Sequence, residues 1–304
     1  MKTAVGLTAH DLRVRIDHVT ATDVAAIMGT SPWKTATDIY LEKCFPMAPL
    51  EPSPAMVWGT MMEPTLLLFA QGVLAGHYDQ PDLRITKVGT RRRHTNGVMS
   101  CTLDGLVRGH ADAVEAKTHA AIHGNVDLSC WGEPWTDEIP DWYRDQVCAQ
   151  MACAPDLERV WVVLSVGRMM PTFYCLERRR FANRILEIEN AVCDFWDHHI
   201  VPGIPPSPCE PSLETVRRMD VPVDPAAIAE IPDALVVRRQ KVSGLKNRLT
   251  RMQEELDAQI RMAMVGVSRA RTPAGHQVSL STCHRKGYSV QPTEFSRLNI
   301  HLAG

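Results

Sequence analysis

The sequence has no apolar stretch long enough to cross a membrane. Its longest apolar stretches, such as Leu66–Ala70 and Val160–Val166, are far shorter than the roughly 20 residues that a spanning helix needs. Residues Met1–Leu12 have no apolar core of signal-peptide length. We therefore expect a soluble protein that acts inside the cell and has no membrane partner.

Paired cysteines are also missing. The chain has nine cysteines, an odd number, and none of them forms a Cys-x-x-Cys pair. Zinc ribbons need such pairs, and a disulfide framework needs an even set in an oxidising compartment. The sequence therefore argues against both, and we expect reduced, half-buried thiols.

Neither sign of charge dominates the sequence. Lys and Arg number 33 against 35 Asp and Glu, which gives a net charge of -2, whereas nucleic-acid-binding domains are commonly basic. A nuclease combines a basic groove with an acidic metal centre, so near-neutrality is compatible with one and decides little. The composition, 45% hydrophobic and 22% charged, is that of an ordinary globular protein. Local basic clusters are Arg91–Arg93, Arg178–Arg180 and the run from Arg238 to Arg251.

The periodicity of the apolar residues changes along the first 200 residues. Spacing of three and four predicts helices early in the chain, and alternation then predicts two hairpins. This order predicts an α/β (α+β) fold with a mixed central sheet flanked by helices. The predicted helices are Thr22–Met28, Thr37–Lys43, Trp58–Gln71, Tyr143–Ala152 and Phe181–His199, and the predicted strands are Leu83–Val88, Val98–Leu103, Gly105–Val107, Ala113–Lys117, Val160–Val166 and Pro171–Leu176.

Beyond this core the pattern of residue types changes. Five prolines between Val201 and Pro211 are typical of a linker, and from Val242 apolar residues recur at steps of 3, 4, 3, 4, 4 and 4, close to a heptad seam. We expect a helix from Asp233 to Gly266 and then a β-hairpin. Four roles are open for this helix: it would mediate self-association, bind DNA through its Arg and Lys residues, bind a partner protein, or pack against the core. The predicted divisions are a core at 1–206, a proline-rich linker at 207–232, and a long amphipathic helix with a β-hairpin tail at 233–304.

One group of residues has the chemistry of a metal site. Asp104 and Glu115 end neighbouring strands of a predicted hairpin, and Glu115 and Lys117 project from one face because they are two apart. Two carboxylates, with the carbonyl of Ala116, suit a hard divalent cation such as Mg²⁺. Lys117 would orient or deprotonate the attacking water, and Glu63 would reach the cluster from a helix. Taken alone, Asp-Gly is usually a turn and Glu-x-Lys is usually a solvated face.

Several blocks in order resemble one family. The sequence is similar to the YqaJ-like viral recombinases, phage nucleases of the lambda-exonuclease type in the PD-(D/E)xK superfamily. The resemblance covers roughly residues 12–206. The blocks that carry it are Val19–Gly29, Ser31–Thr35, Trp58–Pro64, Leu103–Gly105, Glu115–Thr118, Tyr143–Met151 and Phe195–Trp196.

The resemblance implies a restriction-endonuclease-like core and a set of roles. Glu63, Asp104 and Glu115 would hold one or two Mg²⁺ ions, or Mn²⁺ in their place, and Lys117 would position the attacking water. Gln146 would orient that water or a metal ligand. Gln150, one turn further on the same face, would contact DNA or be a plain surface amide.

The resemblance also implies a pocket for a 5′-phosphate. Family members use an arginine and a hydroxyl residue seven positions later, where Arg15 and Thr22 stand here. An arginine fork suits a terminal phosphate. The alternative is that Arg15 is a surface residue and Thr22 caps a helix.

The implied activity is a 5′-to-3′ exonuclease that acts on double-stranded DNA ends and releases 5′-mononucleotides. Implied partners are a single-strand annealing protein and further copies of the chain, in phage recombination. Two alternatives remain: an endonuclease or nickase with the same centre, and a catalytically idle DNA-binding module. The tryptophans Trp131, Trp135 and Trp142 would stack on a base, wedge the duplex end, or pack within their loop. His119 and His123 would bind a metal only with a third ligand.

Overall fold

The computed structural model describes residues 16–88, 91–119, 128–167, 169–222, 224 and 226–281. The chain divides into two compact units, Met1–Val223 and Asp224–Gly304. Within the described residues, no helix is long and apolar enough to cross a membrane. The predicted Arg15 and His123 lie outside the described residues.

A five-stranded mixed sheet forms the centre of the first unit. Its order is β2-β5-β6-β7-β8, with β6 and β7 parallel and the other neighbours antiparallel. A parallel pair needs a crossover, and helix α4 lies between these two strands in the chain. The strands are β2 (Ile85–Lys87), β5 (Gly105–Val107), β6 (Asp112–His119), β7 (Arg159–Val166) and β8 (Thr172–Glu177), and α4 is Asp141–Cys153.

Helices cover both faces of this sheet, which confirms the predicted fold class. On one face, Leu66 and Leu74 of α3 pack with Val114 and Trp161. On the other face, α4 packs with α1 and α5. Side chains of β6 alternate between the two layers, so Ala113 joins the α4 layer and Val114 the α3 layer. The first helices are α1 (Ala21–Ile27), α2 (Ala36–Cys44) and α3 (Pro54–His77); α5 is Ala182–Phe195, followed by a π-helical turn at Trp196–Ile200.

A small sheet completes the first unit. Strand β4 (Met99–Cys101) pairs in parallel with β1 (Val19–Thr20) and antiparallel with β3 (Arg92–Arg93). Strand β1 leads directly into α1, whose N-cap is Thr20 with Asp23 completing a capping box. This pairing therefore fixes where α1 begins beside α4.

The third helix is longer than predicted. Ser53 caps it through a bond from Met56, and Pro54 occupies the first turn, where a missing N–H costs little. Pro64 lies inside the helix. The helix continues to His77, past the predicted end at Gln71.

Part of the predicted 207–232 linker packs on the first unit. Ser212 donates its N–H to Asp38, and Arg218 pairs with Glu42 at 2.8 Å. A further helix, α6 (Leu213–Arg218), lies here, with Thr215 buried. Prolines predict an irregular backbone but do not indicate what it packs against, so the proline content alone predicts a linker here.

The second unit contains the predicted helix and hairpin. Helix α7 (Asp233–Ala263) begins at the predicted residue and ends three residues before Gly266, which has a φ of 83°. The hairpin pairs β9 (Arg269–Arg271) with β10 (Gln277–Ser279) around a turn that contains Gly275.

Candidate active site

Register places the two strand carboxylates side by side. Gly105 of β5 pairs with Val114 of β6, so Asp104 and Glu115 occupy adjacent positions across the hairpin. The carboxylate of Asp104 accepts the N–H of Ala116 at 2.9 Å. This bond fixes Asp104 against β6 and turns it toward Glu115.

Glu115 is the most heavily hydrogen-bonded of the predicted residues. Its side chain is buried, and one oxygen accepts from Lys117 and from Gln146, each at 2.7 Å. The other oxygen accepts from Gln150 at 2.7 Å. Burial of a carboxylate is costly without such partners, so these three donors offset the burial of the Glu115 side chain.

Helix α4 supplies the two amides. Gln146 and Gln150 are four residues apart and therefore lie on one face of the helix, the face that meets β6. The amide oxygen of Gln146 also accepts from Lys117 at 2.9 Å. Lys117, Gln146 and Glu115 thus form a closed triangle of hydrogen bonds, which fixes the ammonium group.

The predicted DNA contact of Gln150 does not fit its position. The side chain is only 1% exposed, and its amide points at Glu115 rather than outward. Its oxygen, Oε1, is buried and has no hydrogen-bond partner among the described residues. Gln150 lies where it can hold Glu115 but not where DNA can reach it.

Burial and neighbouring charge shift two pKa values at this site. The pKa of Asp104 is raised well above its ordinary value, first by burial and then by the charge of Glu115, against the opposing Ala116 N–H and Lys117. For Lys117, burial lowers the pKa, but the charge and hydrogen bond of Glu115 together with the charge of Asp104 raise it by more, so the pKa is raised overall. Lys117 is therefore held in its charged form.

Glu63 approaches the site from α3 but makes a different contact. Its carboxylate pairs with Lys87 at 2.6 Å, although its charge still contributes to the raised pKa of Asp104. Helix α3 comes close to β6 because Gly59 has no side chain: a Cβ there would lie 3.3 Å from the hydroxyl of Thr118. In the part of the chain that the structure describes, no three His, Cys, Asp or Glu residues form a ready-made metal cluster.

Aromatic rings border the ammonium group of Lys117. It lies 4.7 Å from the centre of the Tyr143 ring, a distance that suits a cation–π contact. Trp142 and Tyr143 both contact Trp33, with ring centres 5.7 Å and 6.4 Å away. Trp33 is 63% exposed, so this aromatic group reaches from Lys117 to the surface.

The tryptophans singled out by the sequence have separate environments. Trp131 packs on Tyr143 and Tyr174. Trp142 packs on Trp33, and its buried indole N–H has no partner among the described residues. Trp135 stacks on Phe173 at 5.1 Å, on the α3 side of the sheet. Only the first two lie near Lys117.

Thr22 lies in the first turn of α1. Its hydroxyl is 2.9 Å from that of Thr20, which is the residue that caps the helix. Thr22 is exposed and therefore accessible to a ligand. His119 ends β6, with no third metal ligand beside it among the described residues.

Sequence reasoning gave no role to Lys87, Tyr143 or Trp33. Tyr143 opens the Tyr-x-x-Gln block, so its position one turn before Gln146 was the available signal. For Lys87 and Trp33 the sequence gave no comparable signal, because their contacts come from distant segments.

Comparison with known proteins supports the predicted resemblance. Residues 12–155 match the model of the YqaJ-like viral recombinase domain. This segment is therefore similar to that family over somewhat less than half of the chain. The match ends before residue 206, where we expected the resemblance to end, but it includes all the predicted site residues. The match supports a phage-type exonuclease with a DNA substrate.

Two solved structures illustrate the similarity. An alkaline exonuclease from Laribacter hongkongensis is 22% identical, with 65% of this chain and 94% of that chain covered and a TM-score of 0.49. A phage-related exonuclease from Haemophilus somnus 129PT is 16% identical, with 61% and 96% covered and a TM-score of 0.44. A search of the curated proteins found no match.

Proposed function

We propose that this protein is a Mg²⁺-dependent exonuclease that degrades double-stranded DNA from its 5′ ends and releases 5′-mononucleotides. The observation that carries the proposal is the buried carboxylate of Glu115, which Lys117, Gln146 and Gln150 hold beside Asp104 inside a YqaJ-like domain. An idle DNA-binding module would have no use for a buried acid–lysine pair that is costly to maintain.

The donors at this site fit a hard divalent cation. Asp104 and Glu115 supply carboxylate oxygens on one sheet edge, and the Ala116 carbonyl adds a neutral oxygen, the ligand types that Mg²⁺ and Mn²⁺ accept. Burial and then the charge of Glu115 raise the pKa of Asp104, and a cation between the two acids would relieve their mutual repulsion. Glu63 would also become a ligand of the cation once its ion pair with Lys87 is broken. Once bound, one or two ions would offset the charge that develops on the scissile phosphate.

The protein side chains have distinct tasks in this proposal. Lys117, charged and fixed by Glu115 and Gln146, orients the attacking water by donating a hydrogen bond. Gln146 keeps the ammonium in place through the bond at 2.9 Å. Gln150 holds the far oxygen of Glu115, so the carboxylate cannot rotate away from Asp104. We further propose that Arg15 and Thr22 bind the 5′-phosphate, since Thr22 is exposed.

The recombination role implies partners as well. An exonuclease that leaves a 3′ single strand needs a protein that anneals this strand, so we propose a single-strand annealing protein as partner. We also propose that the protein acts as a homo-oligomer at DNA ends.

The test is digestion of a linear duplex with Mg²⁺, one strand end-labelled, with and without a 5′-phosphate, beside a covalently closed circle. We expect mononucleotide release from the 5′ ends of the linear duplex, faster with the 5′-phosphate, and an intact circle. Omission of the divalent ion should abolish release. Cutting of the circle would instead identify an endonuclease or nickase.

The matched control is Lys117→Ala, which removes the ammonium but leaves both carboxylates. It should fold, bind duplex DNA and lose at least about 100-fold in rate, the scale on which a positioned proton donor or acceptor contributes. A Lys117→Ala protein that cleaves at the normal rate would remove Glu115–Lys117 from the mechanism.

A further inference from the structure

The long helix α7 has an apolar seam that none of the described residues of its own unit, up to residue 281, covers. The seam residues lie three or four positions apart, and each is between 45% and 65% exposed. No side chain of the 31-residue helix is buried. The seam consists of Val242, Leu245, Leu249, Met252, Leu256 and Ile260.

Such a seam indicates a helical partner. Helices gain most of their stability in proteins by burying an apolar stripe. The spacing from Val242 to Leu256 follows heptad positions a and d, the pattern that packs knobs into holes against a second helix. The stripe runs over almost 20 residues, so the partner must be an extended helix of similar length.

We propose that α7 pairs with α7 of a second copy of this chain in an antiparallel coiled coil. The charges on the helix select both the partner and its direction. Six basic residues lie between Arg238 and Arg251, whereas the next seven positions carry three acids and no base. Antiparallel pairing sets the basic part of each helix against the acidic part of the other.

The parallel alternative brings like charges together. In a parallel pair, a g residue faces the e residue five positions later in the other helix. Lys241 would then face Lys246 of the second copy, and the symmetric pair would repeat the repulsion. Arg248 would face the uncharged Gln253 of the second copy, so no acidic residue would attract it there.

The antiparallel arrangement centred on the seam removes these conflicts. Its twofold axis passes between Thr250 and Arg251, so Leu249 packs against Met252 of the second copy and Leu245 against Leu256 of the second copy. Arg248 then lies beside Glu255 of the second copy, and symmetry makes this attraction twice. A twofold interface of this kind is closed, so it yields a dimer and not a filament.

The first experiment measures the mass of the full-length protein by sedimentation equilibrium. We expect multiples of two chains for the unaltered protein, and a twofold lower mass for Leu249→Glu, which places a charge in the seam. Asn247→Glu adds the same charge on the opposite, exposed side and should leave the mass unchanged. Circular dichroism should show helix in both variants.

The second experiment tests the direction of pairing. Arg248→Glu and Glu255→Arg should each weaken the dimer, because each sets like charges against each other, and the double variant should restore it. In a parallel pair the double variant would restore nothing. A one-chain mass for the unaltered protein, or an unchanged mass for Leu249→Glu, would overturn the proposal and leave the seam to a different occupant. These measurements do not depend on DNA cleavage, so they stand apart from the proposed activity.

Discussion

The side-chain amide of Gln150 donates to Oε2 of Glu115 at 2.7 Å, while Lys117 holds the opposite oxygen. Both oxygens of the Glu115 carboxylate are therefore held by hydrogen bonds. A bond to a charged group contributes about 1.5–3 kcal/mol, and its loss would let Glu115 rotate away from Asp104.

We therefore expect Gln150→Leu to slow cleavage about 10- to 100-fold without changing the affinity for duplex DNA. The change keeps the volume and removes the donor. Single-turnover rates and equilibrium binding, measured on the same duplex, separate the two effects. A weaker affinity with an unchanged rate would instead indicate the DNA contact first expected for Gln150.

Lys87 forms an ion pair with Glu63, whose carboxylate a cation at this site would need as a ligand. Its ammonium lies 2.6 Å from Glu63 and is 62% exposed, so the pair is screened by solvent and contributes no more than about 1 kcal/mol. Lys87→Met should lower the Mg²⁺ concentration for half-maximal rate, by about fivefold at most. Glu63→Gln should raise the Mg²⁺ concentration for half-maximal rate. Titration of the rate with Mg²⁺ checks both, and a higher Mg²⁺ requirement in Lys87→Met would show that Lys87 does not compete with the ion.

Local sequence patterns predicted the strand part of this site, whereas the roles of Gln146 and Gln150 on the helix came only from the family resemblance. Period-two alternation and the Asp-Gly turn were enough to place Asp104 beside Glu115, because strand register determines both positions. The orientation of α4 depends on packing with α1 and α5, which no local pattern encodes. The same limit applies to Arg178, which looked like part of a basic cluster but donates to the carbonyls of Met151, Ala154 and Leu157 at the end of α4.

A buried ion pair holds α4 in this orientation. Asp145 is completely buried, accepts from Arg184 at 2.8 and 2.9 Å, and accepts from Thr30 at 2.7 Å. Arg184→Met would leave that carboxylate without its cation, and we expect a loss of about 3 kcal/mol in the free energy of unfolding. Urea denaturation measures it, with Arg179→Met, at an exposed arginine, as the control. Equal stability of the two variants would contradict this account.

Acid stability should depend on Asp23 in α1. Burial raises its pKa, but Lys43, the N–H of Thr20 and the charge of Lys34 together lower it by more, so the pKa falls from 3.8 to about 2. A lowered folded-state pKa stabilises the protein above the unfolded value, and this contribution is lost as the pH falls toward 2. At about 1.4 kcal/mol per pKa unit, it is worth about 2 kcal/mol. The stability gap between the unaltered protein and Asp23→Asn should therefore narrow between pH 4 and pH 2, whereas the gap for Asp220→Asn, at an exposed aspartate, should stay constant.

Trp33 should contact DNA near the reaction centre. It is 63% exposed yet held by Trp142 and Tyr143, and Tyr143 lies under Lys117. Stacking of a base on an aromatic ring contributes about 1–3 kcal/mol, so Trp33→Ala should weaken binding of a duplex with a single-stranded end about 5- to 100-fold. Trp33→Phe should retain most of the affinity because the ring remains.

Trp135 provides the matched control for that measurement. It is 51% exposed but stacks on Phe173, on the α3 side of the sheet, so Trp135→Ala should leave the affinity unchanged. Binding is measured by fluorescence anisotropy without Mg²⁺, so that no cleavage occurs. Because Trp33 contacts the ring beneath Lys117, Trp33→Ala should also slow cleavage at saturating DNA. Equal affinities for the two alanine variants would assign Trp33 to packing alone.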